Sequence, residues 1–187
     1  MGFPRNIVAF KQMIQRGDFV VLDTETTGLI NAEIVQIAVV DSQDNVLLDT
    51  LVKPVNRIPY DVIRIHGITN ERVADAPSWA DVTHQVQAIL RDRDVVVYNA
   101  SFDRKMLHSS ADAAKLPKVD WKSFSRWWCA MEAFAELQGN YQYGRLKMHK
   151  LVNAARYYNI PVVDAHSAIG DARLTLALVR AIAGKLV

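Results

Sequence analysis

Phe19-Val20-Val21-Leu22-Asp23-Thr24-Glu25-Thr26-Thr27-Gly28 carries an apolar run into two carboxylates and a turn. Phe19 to Leu22 is short, rich in β-branched residues and free of charge, the pattern of a buried strand. Asp23 and Glu25 follow at i and i+2, and in extended chain both side chains then point to one face. Two like charges side by side at the end of a buried strand repel each other. A fold tolerates the repulsion when a cation sits between them, and hard divalent cations such as Mg²⁺ favour oxygen ligands of this kind. Taken alone, the pair reads equally well as ordinary surface acids at a solvated strand end.

Working outward, Ile7 to Gln15 has helical spacing of apolar residues and stops at Gly17. After Phe19–Thr24, strands are expected at about 33–41 and 46–52. The turns at Gly28–Asn31 and Ser42–Asn45 are short, so the three strands form an antiparallel meander. Pro54 and Pro59 mark a loop, with a helical turn reaching Ile65. Ser78 suits the N-cap of a helix running to about Leu90. A strand at 95–98 and a helix from Ser101 to about His108 come next. Lys147 to Tyr158 is amphipathic, and an Ala- and Leu-rich helix covers about 167–183. A meander followed by strand–helix alternation predicts an α/β fold with a mixed sheet, antiparallel and parallel, flanked by helices.

Two further segments bring acids to element ends. Val95–Tyr98 runs into Asn99-Ala100-Ser101-Phe102-Asp103, and His166-Ser167-Ala168-Ile169-Gly170-Asp171 opens the last helix. Three separate elements therefore each deliver a carboxylate, and one adds a histidine. With Asp-x-Glu-Thr-Thr-Gly, Asn-x-x-Phe-Asp and His-x₄-Asp in this order, the chain resembles the DEDDh group of DnaQ-like 3′–5′ exonucleases, which have a ribonuclease H-like fold. The segments Glu33-Ile34-Val35-Gln36-Ile37-Ala38 and His66-Gly67-Ile68-Thr69 agree, and the resemblance extends from about Phe19 to Leu186.

The resemblance implies hydrolysis of phosphodiester bonds at 3′ ends with release of nucleoside 5′-monophosphates. Two Mg²⁺ or Mn²⁺ ions roughly 3.5–4 Å apart would activate a water and stabilise the leaving oxygen. Asp23 would bridge both ions, Glu25 and Asp171 would complete the ion on the nucleophile's side, and Asp103 would act through water ligands or hold its neighbours. His166 is the expected general base, since imidazole titrates near neutrality; a sister group carries tyrosine there. Thr26, Thr27 and Leu29, with Asn99, are expected at the terminal nucleotide. Phe102 either stacks on a base or fills the core. Of Trp127 and Trp128, at least one is expected in the core, and Arg145, Lys147, His149 and Lys150 are either solvated charge or a phosphate-tracking rim. His84, His108 and His66 read as polar-helix or turn residues.

The expected partner is nucleic acid with a free 3′ end, preferably single-stranded. DNA in proofreading, repair or end trimming is the first choice, with docking to a DNA polymerase subunit in view. The rivals are an RNA 3′-end trimming exoribonuclease, a non-cleaving nucleic-acid-binding or polymerase-docking module, and a metal-dependent hydrolase of another substrate. Four acids and His166 together argue against the non-cleaving module.

With 187 residues, half of them hydrophobic, the chain has material for one domain over residues 1–187. A net charge of +2 calls for a local basic rim rather than a basic protein. The single cysteine, Cys129, excludes an internal disulfide and a multi-cysteine zinc site, and its apolar neighbours predict burial. Met1–Asn6 lacks the apolar core of a signal peptide and the serine or threonine of a myristoylation site. No apolar run approaches the ~20 residues of a membrane span. A cytoplasmic protein without membrane partners is expected, ending at Val187 without a tethering tail.

Overall fold

The computed structural model describes residues 7–164 and 166–185; the expectations for Met1–Asn6 and for the last two residues lie outside them. Helix α1 (Ile7–Arg16) ends where Gly17 adopts a φ of 71°, a left-handed conformation that costs glycine little. The quoted stretch forms β1 (Phe19–Thr26). β2 (Ile34–Asp41) and β3 (Val46–Leu51) pair antiparallel, β2 against β1 and β3 against β2. On the other side of β1, β4 (Asp94–Val97) and then β5 (Arg126–Cys129) pair in parallel. The sheet order is β3-β2-β1-β4-β5, which is the expected mixed sheet.

Strand alternation divides the core in two. Val20 and Leu22 face α3 (Trp79–Leu90) and α4 (Ala100–Ala113), packing with Val86, Leu90, Met106 and Leu107. Phe19 and Val21 face α1, α6 (Ala130–Gln138) and α8 (Ala168–Lys185), packing with Met13, Phe134, Leu176 and Val179. Burying each such side chain contributes roughly 1.5–3 kcal/mol. β1 is thus clamped on both faces, and its last residues emerge from a rigid support.

Local signals explain most boundaries. The Ser78 and Asp81 side chains form a capping box that starts α3, as the sequence predicts for Ser78. α2 (Tyr60–His66) buries no residue and ends at Gly67, φ 72°. α4 runs five residues past the expected end at His108. Its Ser110 is buried there and accepts a hydrogen bond from the Ile34 amide at 2.9 Å, so the Ser109-Ser110 pair does not break the helix.

α5 (Trp121–Phe124), β5 and α6 were not anticipated from the sequence. β5 is only four residues long and owes its place to the ladder with β4. Alternation sends Trp127 to one core and Trp128 to the other, so both indoles are buried. Trp127 Nε1 donates to the Trp121 carbonyl at 2.7 Å, and Trp128 Nε1 donates to Asp94 Oδ1 at 2.8 Å. Cys129 is buried as expected. The amphipathic segment 147–158 is helical only over α7 (Leu151–Tyr157), because its start is taken by a hairpin of β6 (Tyr141–Gln142) and β7 (Arg145–Leu146) and the loop after it. Among the described residues no helix is long and apolar enough to cross a membrane.

Candidate active site

Asp23 and Glu25 stand at the C-terminal end of β1, the first half-buried between its neighbours Leu22 and Thr24, which are buried. Opposite the Glu25–Thr26 step the register shifts, Glu25 facing Gln36 and Thr26 facing Ile34. Such irregularities re-aim side chains at the rims of sheets. α8 packs across β1 and β2 and brings Asp171 in from its first turn. One carboxylate oxygen from each of Asp23, Glu25 and Asp171 lies within 4.8 Å of the other two. Asp103, in the first turn of α4, is buried, and its Oδ1 accepts a 2.7 Å hydrogen bond from Thr24 Oγ1. Thr24 thereby links Asp103 to the backbone between Asp23 and Glu25.

Burial is the largest cause pushing the Asp23 carboxyl well above its ordinary range, followed by the charges of Asp103, Asp171 and Glu25. Glu25 is raised to about 7 by burial and then by Asp171 and Asp103. Asp103 is raised to about 7 by burial, against the opposing hydrogen bond from Thr24. Asp171 is raised by burial and lowered again by the charge and backbone amide of His166. Four carboxyls raised by burial, two of them (Asp23 and Glu25) further by their neighbours' charges, in an oxygen-only donor set, fit a hard divalent cation. Asp23, Glu25 and Asp171 are the residues spaced to hold one directly.

His166 is exposed and sits just before α8 with φ 66°, a left-handed conformation that histidine tolerates better than most residues. Ser167 Oγ caps the helix, accepting from the Gly170 amide at 3.1 Å and bonding Asp164 Oδ2 at 2.8 Å. A Cβ on Gly170 would lie 2.2 Å from the Asp164 carbonyl oxygen. The glycine in His-Ser-Ala-Ile-Gly-Asp is therefore the residue that lets the loop carrying His166 fold back over the helix start.

The turn after β1 is braced from within. Thr26 Oγ1 donates to the Gly28 carbonyl at 2.6 Å, and Thr27 Oγ1 accepts from the Glu33 amide at 2.9 Å. Leu29 and Ile30 then project with 75% and 79% of their surface exposed. Asn99 precedes α4 and accepts from Ser101 Oγ at 3.1 Å. Phe102 is half-buried against the core beneath α3 and α4.

Two residues have a larger part here than the sequence suggests. His66 Nε2 lies 3.3 Å from the Thr26 carbonyl oxygen while Nδ1 accepts from the Ile68 amide at 3.0 Å. That arrangement puts the ring proton on Nε2, and burial holds the imidazole below its usual pKa. Gln36, opposite Glu25, donates to Asp49 Oδ1 at 3.0 Å and accepts from the Ala168 amide at 3.2 Å, tying the start of α8 to the sheet. Both stand in segments that match the family, yet a polar residue in an apolar run does not reveal its distant partner.

The sequence profile described as RNase_T, exonuclease, matches residues 20–179. The uncharacterized exonuclease CP81 of Escherichia phage 186 is 40% identical over 173 residues, covering 89% of this chain and 88% of that protein. The DNA polymerase III subunit epsilon of Treponema pallidum (strain Nichols) is 29% identical over 165 residues, covering 86% and 74%. The structure of exonuclease X in complex with 5′ overhanging duplex DNA superposes with a TM-score of 0.67 at 28% identity, covering 89% of this chain and 92% of that one. The mixed sheet is thus the ribonuclease H-like sheet of these exonucleases, and the chain belongs to the RNase_T exonuclease family as a DnaQ-like DEDDh 3′–5′ exonuclease.

Proposed function

We propose that the protein removes nucleotides from the 3′ end of DNA, releasing nucleoside 5′-monophosphates, with Mg²⁺ or Mn²⁺ held by its carboxylates. The observation that carries this reading is the convergence of Asp23, Glu25 and Asp171 oxygens within 4.8 Å from two elements far apart in sequence. Bound there, divalent cations would polarise the phosphoryl oxygens and make water a competent nucleophile at neutral pH. Asp23, Glu25 and Asp171 would hold the cations, and Asp103 steadies the pair on β1 through Thr24. His166 accepts the proton of the attacking water at its imidazole. The braced turn at Thr26–Thr27, with Leu29, Asn99 and Phe102, positions the terminal nucleotide. His66 keeps the Thr26 carbonyl in place. The polymerase III epsilon subunit and the exonuclease X complex carry DNA in their names, which favours DNA over RNA, and one domain over the whole chain performs the reaction.

The test uses 5′-labelled single- and double-stranded DNA and RNA with Mg²⁺ or Mn²⁺, resolved by length, with products separated by chromatography. Stepwise shortening of DNA, blocked by a 3′-terminal phosphorothioate cap or by excess chelator, is expected. Cuts in a circular single strand, full activity in chelator, or faster loss of RNA than DNA would each overturn the corresponding part.

A further inference from the structure

The β6–β7 hairpin sorts its side chains by chemistry. Tyr141 pairs with Leu146 and Gln142 with Arg145, and the Lys147 amide donates to the Asn140 carbonyl at 2.9 Å, extending the ladder by one pair. Tyr143 and Gly144 make the two-residue turn, both with positive φ (53° and 72°). Alternation places Asn140, Gln142, Arg145 and Lys147 on one face, and all four are exposed. That face holds two cations, two amides and no acid. Tyr141 and Leu146 belong to the other face, where they line a 620 Å³ groove with Met148, Glu132 and Glu136; Arg145 borders it as well. Arg145 thus stands at the edge between the exposed face and the groove that holds the two glutamates.

The hairpin's return limb is fastened beside the carboxylates. Tyr98 OH donates to the His149 carbonyl at 2.6 Å. The parallel register pairs Val21 with Val96, and Tyr98 directly follows the last residue of β4, at the end of the sheet where β1 carries Asp23. Tyr98 shares a face with Phe19 and Val21, hence with Asp23. The limb that bears Lys147 and Lys150 is therefore tethered through the Tyr98 side chain to the end of β4, the strand that neighbours β1.

Building on the exonuclease reading above, we propose that the Asn140–Gln142–Arg145–Lys147 face of this hairpin binds the phosphates of the substrate strand upstream of its 3′-terminal nucleotide. Charge complementarity and continuity with the carboxylate end of the sheet select a polyanionic strand as its occupant.

The experiment measures anisotropy of a 5′-fluorescein-labelled 20-nucleotide oligo(dT) with the full chain in Ca²⁺ over a series of salt concentrations. Arg145→Ala/Lys147→Ala is expected to raise Kd about tenfold and to make the slope of log K against log salt shallower by about 1.4, two contacts at ~0.7 each on a single strand. Arg145→Lys/Lys147→Arg keeps the slope. In Mg²⁺ turnover, the alanine pair loses about tenfold of the preference for the 20-mer over a dinucleotide. An unchanged Kd and slope, or equal losses on 20-mer and dinucleotide, would overturn the proposal. The two readings fail separately: a chain that binds through the hairpin yet shortens no strand removes the reaction and keeps the contact. A chain that shortens strands with an unchanged slope does the reverse.

Discussion

Asp23 is at once a candidate donor for a cation and a half-buried carboxyl that three other carboxylates repel. Asp23→Asn keeps the shape and deletes the charge. Turnover should fall on the order of 100-fold or more, at least the upper end of what loss of a ligand's supporting partner costs. The metal-free protein should melt at a higher temperature, and a fall in both would show that Asp23 is needed for packing instead. His166→Ala removes a proton acceptor and leaves the carboxylates alone, so the rate should drop roughly 10²–10⁴-fold. The acidic limb of the pH–rate profile should flatten while Ca²⁺-supported DNA binding persists; near-normal activity would remove His166 from the reaction. The same carboxyls set a pH dependence of stability. Glu25 and Asp103 hold their protons up to about 7 in the folded chain, whereas unfolded carboxyls release theirs near ~4. Between those limits the folded state binds more protons, so stability in chelator should decline as pH rises, and the penalty is complete above about 7. Saturating Mn²⁺ should therefore raise Tm more at pH 8 than at pH 5. Equal gains at both would mean that the cluster carries no such strain.

At the scale of elements, the start of α8 is the joint on which the site depends. Gln36 pins its first amide to the sheet, Ser167 caps it, and Gly170 admits the Asp164 carbonyl. Gly170→Ala improves intrinsic helix propensity by about 1 kcal/mol, but a Cβ 2.2 Å from a backbone oxygen forces the loop to move. Activity should fall at least tenfold with Asp171 untouched, and a far-ultraviolet spectrum should retain its helix signal. An alanine variant that is more stable and fully active would show that the loop's position is irrelevant to the chemistry. β1 owes its rigidity to packing on both faces, which is why its terminal acids can be held close together in spite of their repulsion.

Over the whole molecule, the sheet separates stability from chemistry by its two ends. Asp94 opens β4, at the end remote from Tyr98. Only 2% exposed, it accepts from Arg126 Nε at 2.8 Å, Arg16 Nη2 at 3.0 Å and Trp128 Nε1 at 2.8 Å. Those bonds hold its carboxyl below the usual range against the cost of burial. Asp94→Ala lets the half-exposed arginines return to water but strands a buried indole donor, a loss of about 2 kcal/mol. Chemical denaturation should show that loss while kcat on DNA stays within twofold. A large drop in kcat with little change in stability would mean that the two ends communicate. The Asp94 contribution is present above the ordinary carboxylate pKa and is lost as pH falls below it, opposite in sign to the carboxylate cluster.

The sequence by itself determined the local pieces. An uncharged β-branched run means a strand, Gly17 a helix end and Ser78 a cap, because those preferences act within a few residues. It also made the meander and four acids with a histidine legible, since each lies in a short motif with its own spacing. Other features depended on partners far away in the chain. Arg126-Trp127-Trp128-Cys129 is too short to declare itself a strand without β4 beside it. The start of the amphipathic segment Lys147 to Tyr158 is not helical, and Tyr98 holds the His149 carbonyl there. Gln36 and His66 became part of the site only when folding brought the Ala168 amide and the Thr26 carbonyl to them. The tertiary structure also decided that Asp23, Glu25 and Asp171 lie within 4.8 Å, because packing of α8 across β1 brings Asp171 to the other two from far along the chain.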